Sequence, residues 1–166
     1  MDMATTAFEE PLRKAPGRTG SATIIIYAAQ FFFGGWFLAH GLNYWLEFFP
    51  QPHGSSPISR ELIMAMIHSG LFDIVKVVEV LAGVLMLLDL FVPLAIVLSV
   101  PVALSIAHLN LVENDDWFSK ITAIVILVLI AIIAIGRLDR FLPMLAMRTP
   151  PPSLATLRTL FARRPR

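Results

Sequence analysis

The chain has 166 residues, of which 57% are hydrophobic and 15% charged, and a mean hydropathy of +0.74. That is too apolar for a soluble domain of this size and points to one compact membrane unit. It has no cysteine, which excludes thiol–disulfide chemistry, iron–sulfur ligation and cysteine-bound zinc. The net charge of +1 conceals an asymmetry, with cations at the two ends and acids between, which bears on topology rather than on nucleic acid.

A membrane span needs about 20 mainly apolar residues. Four stretches qualify: Ile24 to about Phe49, Leu71 to Leu88, Leu90 to about Val112, and Phe118 to Ile135. The expectation is an all-α, polytopic four-helix bundle at 22–138, between an N-terminal tail at 1–21 and a basic C-terminal tail at 139–166. The first stretch exceeds a bilayer's need, so Tyr44, Trp45, Phe48 and Phe49 would form an aromatic belt at the interface. Between spans one and two, Ser56-Pro57 reads as an N-cap with proline at the first helical position. A short interfacial helix is expected there, its apolar face of Ile58, Leu62, Ile63, Met66 and Ile67 lying opposite Ser59 and Arg60, with Ser69-Gly70 ending it. Pro93 falls in the first turn of span three, whereas Pro101 is internal and predicts a kink. After Pro150-Pro151-Pro152, Ser153 can cap an amphipathic helix in the C-terminal tail.

Orientation follows from the cations. Arg13, Lys14 and Arg18 precede the first span and seven arginines follow the last, whereas the opposite loops hold only Arg60 and Lys120. The positive-inside bias places both termini in the cytoplasm. A cleaved leader spanning 1–41 is a competing reading, with Ala39-His40-Gly41 as a loose processing site. Bulky Trp36 and Phe37 and the odd number of spans left behind argue against it.

The second span carries Asp73, Lys76 and Glu79 within its apolar run. A charge near the bilayer centre costs roughly 3 kcal/mol on insertion, so such groups pair, face a protein interior and mark function. At 1.5 Å per residue Glu79 lies about 12 Å deep and Asp73 about 3 Å. Span one offers a matching stripe of His40, Asn43 or Tyr44, and Glu47, while span three contributes Ser105 and His108 in register with Pro101. The expected ligand pocket therefore comprises His40, Asn43, Tyr44, Asp73, Lys76, Glu79, Ser105 and His108, with Gly34, Gly35, Gly41 and Gly83 allowing close helix approach. No metal site or catalytic residue is assigned. Haem between His40 and His108 is disfavoured, because their depths differ by roughly 8 Å. A purely structural ion pair between Lys76 and Glu79 is the plainer alternative.

His40-Gly41-Leu42-Asn43-Tyr44-Trp45, the run Glu79 to Leu88, Phe91-Val92-Pro93-Leu94-Ala95 and the segment Pro101 to His108 together resemble the DoxX-like family of small four-span bacterial membrane proteins. The resemblance covers about residues 22 to 136, and Glu79, Gly83 and His40-Gly41 fall on family positions. It departs at Asn43-Tyr44, where many relatives carry a basic residue. What it implies is a four-helix bundle in a bacterial inner membrane, and an accessory or quinone-proximal subunit of a redox assembly rather than an autonomous enzyme. Quinone or lipid is the implied ligand, and membrane lipid with a protein partner or a second copy the implied contacts. Two other readings stand beside it: a stand-alone binder or isomerase of an apolar molecule using the intramembrane acids, and a scaffold without chemistry. Ion transport finds no polar lining in span four.

Overall fold

A computed structural model describes residues 20–51 and 54–142. The basic N-terminal tail and the amphipathic helix expected beyond Ser153 lie outside the described residues. The chain is all-helical there: α1 (Ser21–Leu46), α2 (Pro57–His68), α3 (Leu71–Leu87), α4 (Val92–His108), a π-helical turn (Leu109–Glu113), α5 (Trp117–Gly136) and the short α6 (Leu138–Phe141). Among the described residues, three helical stretches are long and apolar enough to cross a membrane: α1, the 22 residues Val92–Glu113, and α5. The second expected span corresponds to α3, whose 17 residues include Asp73, Lys76 and Glu79 and so fall short by length and composition.

Four helices close into a ring in which α1 packs on α3, α3 on α4, α4 on α5, and α5 back on α1. The short links between α2 and α3 and between α3 and α4 enforce neighbouring positions. The core fills the ring with Phe33 and Phe37 of α1, stacked at 4.3 Å between centroids, Met86 of α3, Ile96 of α4, and Ile126, Ile130 and Ile133 of α5. Between α1 and α3 the approach is closest. A Cβ at Gly83 would fall 2.7 Å from the Leu38 nitrogen and 2.8 Å from the Gly34 oxygen, both backbone atoms that cannot yield independently.

Helix ends follow local chemistry. Ser56 caps α2, its hydroxyl accepting from the Ser59 amide at 3.0 Å, with Pro57 at the first position as expected. Gly70, in the left-handed region at φ 75°, turns α2 into α3. Asp116 caps α5 by accepting from the Ser119 amide at 2.8 Å and hydroxyl at 2.7 Å, and these bonds, the hydroxyl's foremost, hold its carboxyl below the usual carboxylate range. The first apolar run was expected to continue to Phe49, but α1 stops at Leu46. Glu47 adopts φ 51°, and the Asn43 side chain binds the Phe49 backbone twice, donating to its oxygen at 2.9 Å and accepting from its nitrogen at 2.8 Å.

The face of α2 differs from expectation. Ser59, expected opposite the apolar face, is fully buried, whereas Ile58 and Leu62 of that face are exposed. The reason is a polar contact. Asn114, just past the π-helical turn, accepts from the Ser55 amide and hydroxyl at 3.0 and 2.9 Å and donates to Asn110 at 2.9 Å, and it lies 3.4 Å from the Ser59 hydroxyl, which donates to the Ser56 carbonyl at 3.0 Å. Ser59 and Asn114 are buried and each is hydrogen-bonded, as burial of a polar group requires, and α2 turns Ser59 inward with Ile63 and Ile67 half-buried on the same side.

Gly83→Ala is expected to lower stability by about 1–3 kcal/mol, because the added methyl must push two backbones apart. Gly35→Ala, where a Cβ meets nothing within 4 Å, is expected to be neutral or to stabilise by up to about 1 kcal/mol through helix propensity. Thermal unfolding of the two variants in detergent compares them directly.

Candidate functional site

Lys76 and Glu79 lie one helical turn apart on α3 and form an ion pair at 2.8 Å, with side-chain exposures of 9% and 3%. The Lys76 ammonium also stands 5.0 Å from the Phe72 ring centroid, a cation–π geometry. The opposite wall is Gly41 of α1, where a Cβ would approach the Glu79 Cβ to 3.1 Å. Glu79 is thus enclosed between helix backbone and its own partner. Both charges are neutralised within a single helix, which lowers the cost of burying α3 in an apolar surrounding.

The other expected residues divide. His40 stacks on Trp36 at 4.7 Å and meets the edge of Phe49 at 5.0 Å, so it is held in an aromatic slot on α1. Asn43 is fully buried, and its side-chain amide ties down the turn after α1. Tyr44 meets Phe72 edge to face at 5.2 Å, bridging α1 and α3, and Asp73 is half-buried on the first turn of α3. Ser105 and His108 do not join this group. Both are exposed on α4, and the Ser105 hydroxyl donates to the Pro101 carbonyl at 2.9 Å. Their shared stripe with Pro101 is real as a periodicity, but α4 turns the face carrying Ser99, Val102, Ala103 and Ala107 inward instead. The polar site is built by α1 and α3 alone.

Beside it lies a cavity of about 540 Å³, within the range of small-molecule sites. Tyr44 and Phe72 form its inner wall, Ile63 and Ile67 of α2 its roof, and the segment from Glu47 to Gln51 its side. Neither Lys76 nor Glu79 lines it. The chamber expected between His40 and Glu79 is therefore displaced toward the roofing helix, because Gly41 brings α1 too close to α3 to leave space there.

A second polar cluster occupies the other end of the bundle. Gln30 of α1, fully buried, donates to the Met86 carbonyl and to Asp89 at 2.9 Å each and accepts from Arg137 at 2.8 Å. Arg137 forms an ion pair with Asp89 and lies 5.4 Å from the Tyr27 ring, whose hydroxyl donates to Asp89 at 3.3 Å. Gln30, then Arg137 and Tyr27, hold the Asp89 carboxyl below the usual carboxylate range. Sequence reasoning missed this network. Its available signal was Gln30, a lone amide in an apolar run and in helical register with Gly34, Phe37 and Gly41.

Lys76→Met alone is expected to destabilise the protein by about 3–5 kcal/mol by leaving Glu79 buried and unpaired, while Lys76→Met with Glu79→Leu recovers most of the loss. Denaturant unfolding of the single and double variants measures both. At the opposite end, the depressed Asp89 carboxyl favours the folded state above the ordinary carboxylate range. That contribution is lost as pH falls through the folded-state value. Asp89→Asn is expected to flatten the acid limb of stability against pH.

No known protein family, curated protein or solved structure matches the chain.

Proposed function

We propose that this protein is a four-span integral membrane subunit of DoxX-like type in a bacterial inner membrane, holding an apolar ligand of quinone or lipid character beside a redox partner. The observation that carries the binding role is the cavity under α2, walled by aromatic rings and adjoining the polar contact of α1 with α3. The redox assignment rests on the resemblance of the His40-Gly41 and Glu79 to Leu88 segments. α3 serves as the fourth span, because Lys76 and Glu79 neutralise each other within the bundle. α2 lies in the outer interface, with Ile58, Leu62 and Met64 exposed toward lipid.

Binding is favoured over isomerisation by a specific contact. Glu79 is engaged by Lys76 at 2.8 Å, and neither it nor Asp73 lines the cavity, so the intramembrane acids do not face a bound molecule. Partner docking suits α5, which exposes Ile121, Ile124, Val125, Val128 and Ile135 on its outer side.

Because the chain contains no cysteine, single introduced cysteines are its only thiols. Impermeant maleimide applied to intact cells is expected to label a cysteine at Ser55, but cysteines at Ser21 and Leu142 only after permeabilisation. Labelling of Ser21 and Leu142 positions on opposite sides would reject four spans. Native pull-down with retained lipid is expected to recover an electron-transfer protein and enriched quinone or lipid; recovery of neither removes the redox role.

A further inference from the structure

We infer that two copies of this chain pair in the membrane through the outward face of α4, with His108 of each copy on the contact. Pairing of this kind requires only that α4 cross the bilayer, whatever ligand or redox partner the bundle holds. What points to it is a polar side chain turned outward on a membrane-crossing segment. His108 is exposed and, among the described residues, has no hydrogen-bond or ion-pair partner. It lies about 7 Å inside the outer end of the 22-residue span Val92–Glu113, with Leu109, Leu111 and Val112 between it and that end. Polar groups so placed turn toward a protein interior, because lipid offers them no hydrogen bond. α4 instead directs His108 away from its own bundle, so the group that satisfies it comes from outside the chain.

The surface around His108 has the form of a helix-pairing seam. Leu94, Val97, Pro101, Leu104 and His108 are all exposed and recur at alternating intervals of three and four, the spacing that keeps one stripe facing a parallel neighbour. The outer face of α5 is aliphatic at Ile121, Ile124, Val128 and Ile135, so nothing polar there demands a second copy. Orientation and self-complementarity favour this chain itself as the occupant on α4. Every copy inserts in the same direction, so a two-fold axis along the membrane normal brings equal depths of α4 together and sets His108 opposite itself. A residue in that place has to donate and accept at once. A neutral imidazole does both, with one N–H and one bare nitrogen, whereas a lysine or a carboxylate would repel its own copy. Ser105, one turn deeper on the same face, gives its proton to the Pro101 carbonyl at 2.9 Å and so presents lone pairs outward. Side chains on a helix lean toward its N-terminus, which carries the His108 ring toward the depth of Ser105. One imidazole N–H then bonds the facing ring and the other bonds a serine oxygen, and no donor is left unpaired.

Because the full-length chain has no cysteine of its own, Leu104→Cys can be oxidised with copper phenanthroline in native membranes, and the expected product is a disulfide-linked dimer of this chain. Ile124→Cys on α5 is the control and is expected to stay monomeric. Full-length copies labelled through Ser21→Cys, reconstituted in phosphatidylcholine liposomes and diluted with lipid, then give the dissociation constant by energy transfer. His108→Leu is expected to raise that constant about fivefold, the increment of an interhelical hydrogen bond in a membrane. His108→Asn, which again supplies a donor and an acceptor, is expected to stay within about twofold of the parent. Energy transfer no greater than random proximity at every dilution overturns the dimer. Cross-linking through Ile124→Cys but not Leu104→Cys overturns α4 as the contact, and cross-linking of Leu104→Cys only to another protein overturns the second copy as its occupant. A dissociation constant unchanged in His108→Leu overturns the role of His108. The cross-link and the parent's dilution series decide pairing even where a His108 variant fails to fold.

Discussion

The contact between α1 and α3 governs the molecule. Gly34, Gly41 and Gly83 let the two backbones meet at distances that a single methyl group would violate. Two consequences follow from that approach. It encloses the Lys76–Glu79 pair against a wall with no side chain, where the pair must satisfy itself, and it removes any space between His40 and Glu79. The cavity lies at the end of α1, between Tyr44, Phe72 and the segment from Glu47 to Gln51. Close packing is thus both the reason a charged helix can sit in an apolar bundle and the reason the ligand space lies to one side of the charges.

Polar networks secure the two ends of the bundle by different means. At one end Asp89, in the tight link between α3 and α4, gathers Gln30, Tyr27 and Arg137 and so joins α1 and α5 to that link. At the other end Asn114 collects the start of α2 through Ser55 and Ser59. The π-helical turn preceding it, closed by the Asn114 amide on the Leu109 carbonyl at 2.9 Å, aims the Asn114 side chain at α2. The Ser59 hydroxyl is satisfied in addition within α2's own first turn, donating to the Ser56 carbonyl at 3.0 Å and accepting from the Ser56 hydroxyl at 3.1 Å. The roof of the cavity is therefore anchored on two neighbours, α3 and the segment that follows α4.

Nearly every buried polar side chain in the described bundle is satisfied by another protein group, including both ionised ones on α3. Among the described residues, the buried side-chain polar atoms without a partner are the Gln51 Nε2, closed off from solvent, and the Arg137 Nε in the end network.

Much of the local structure was legible from the residues. The helical content, the Ser56-Pro57 start of α2, the Gly70 turn and the Lys76–Glu79 pairing all depend on groups within a few residues of one another. Such relations are dictated by helix geometry alone. What only the tertiary structure decided was rotation: that α4 turns Ser105 and His108 outward, that α2 buries Ser59, and that the cavity is walled by Phe72 and Gln51. Rotation is set by contacts between residues far apart in the chain. Arg137 meets Gln30 across 107 positions and Asn114 meets Ser55 across 59. A periodic stripe identifies a face of a helix but not the neighbour it will face, since that choice depends on which pair of backbones can come closest.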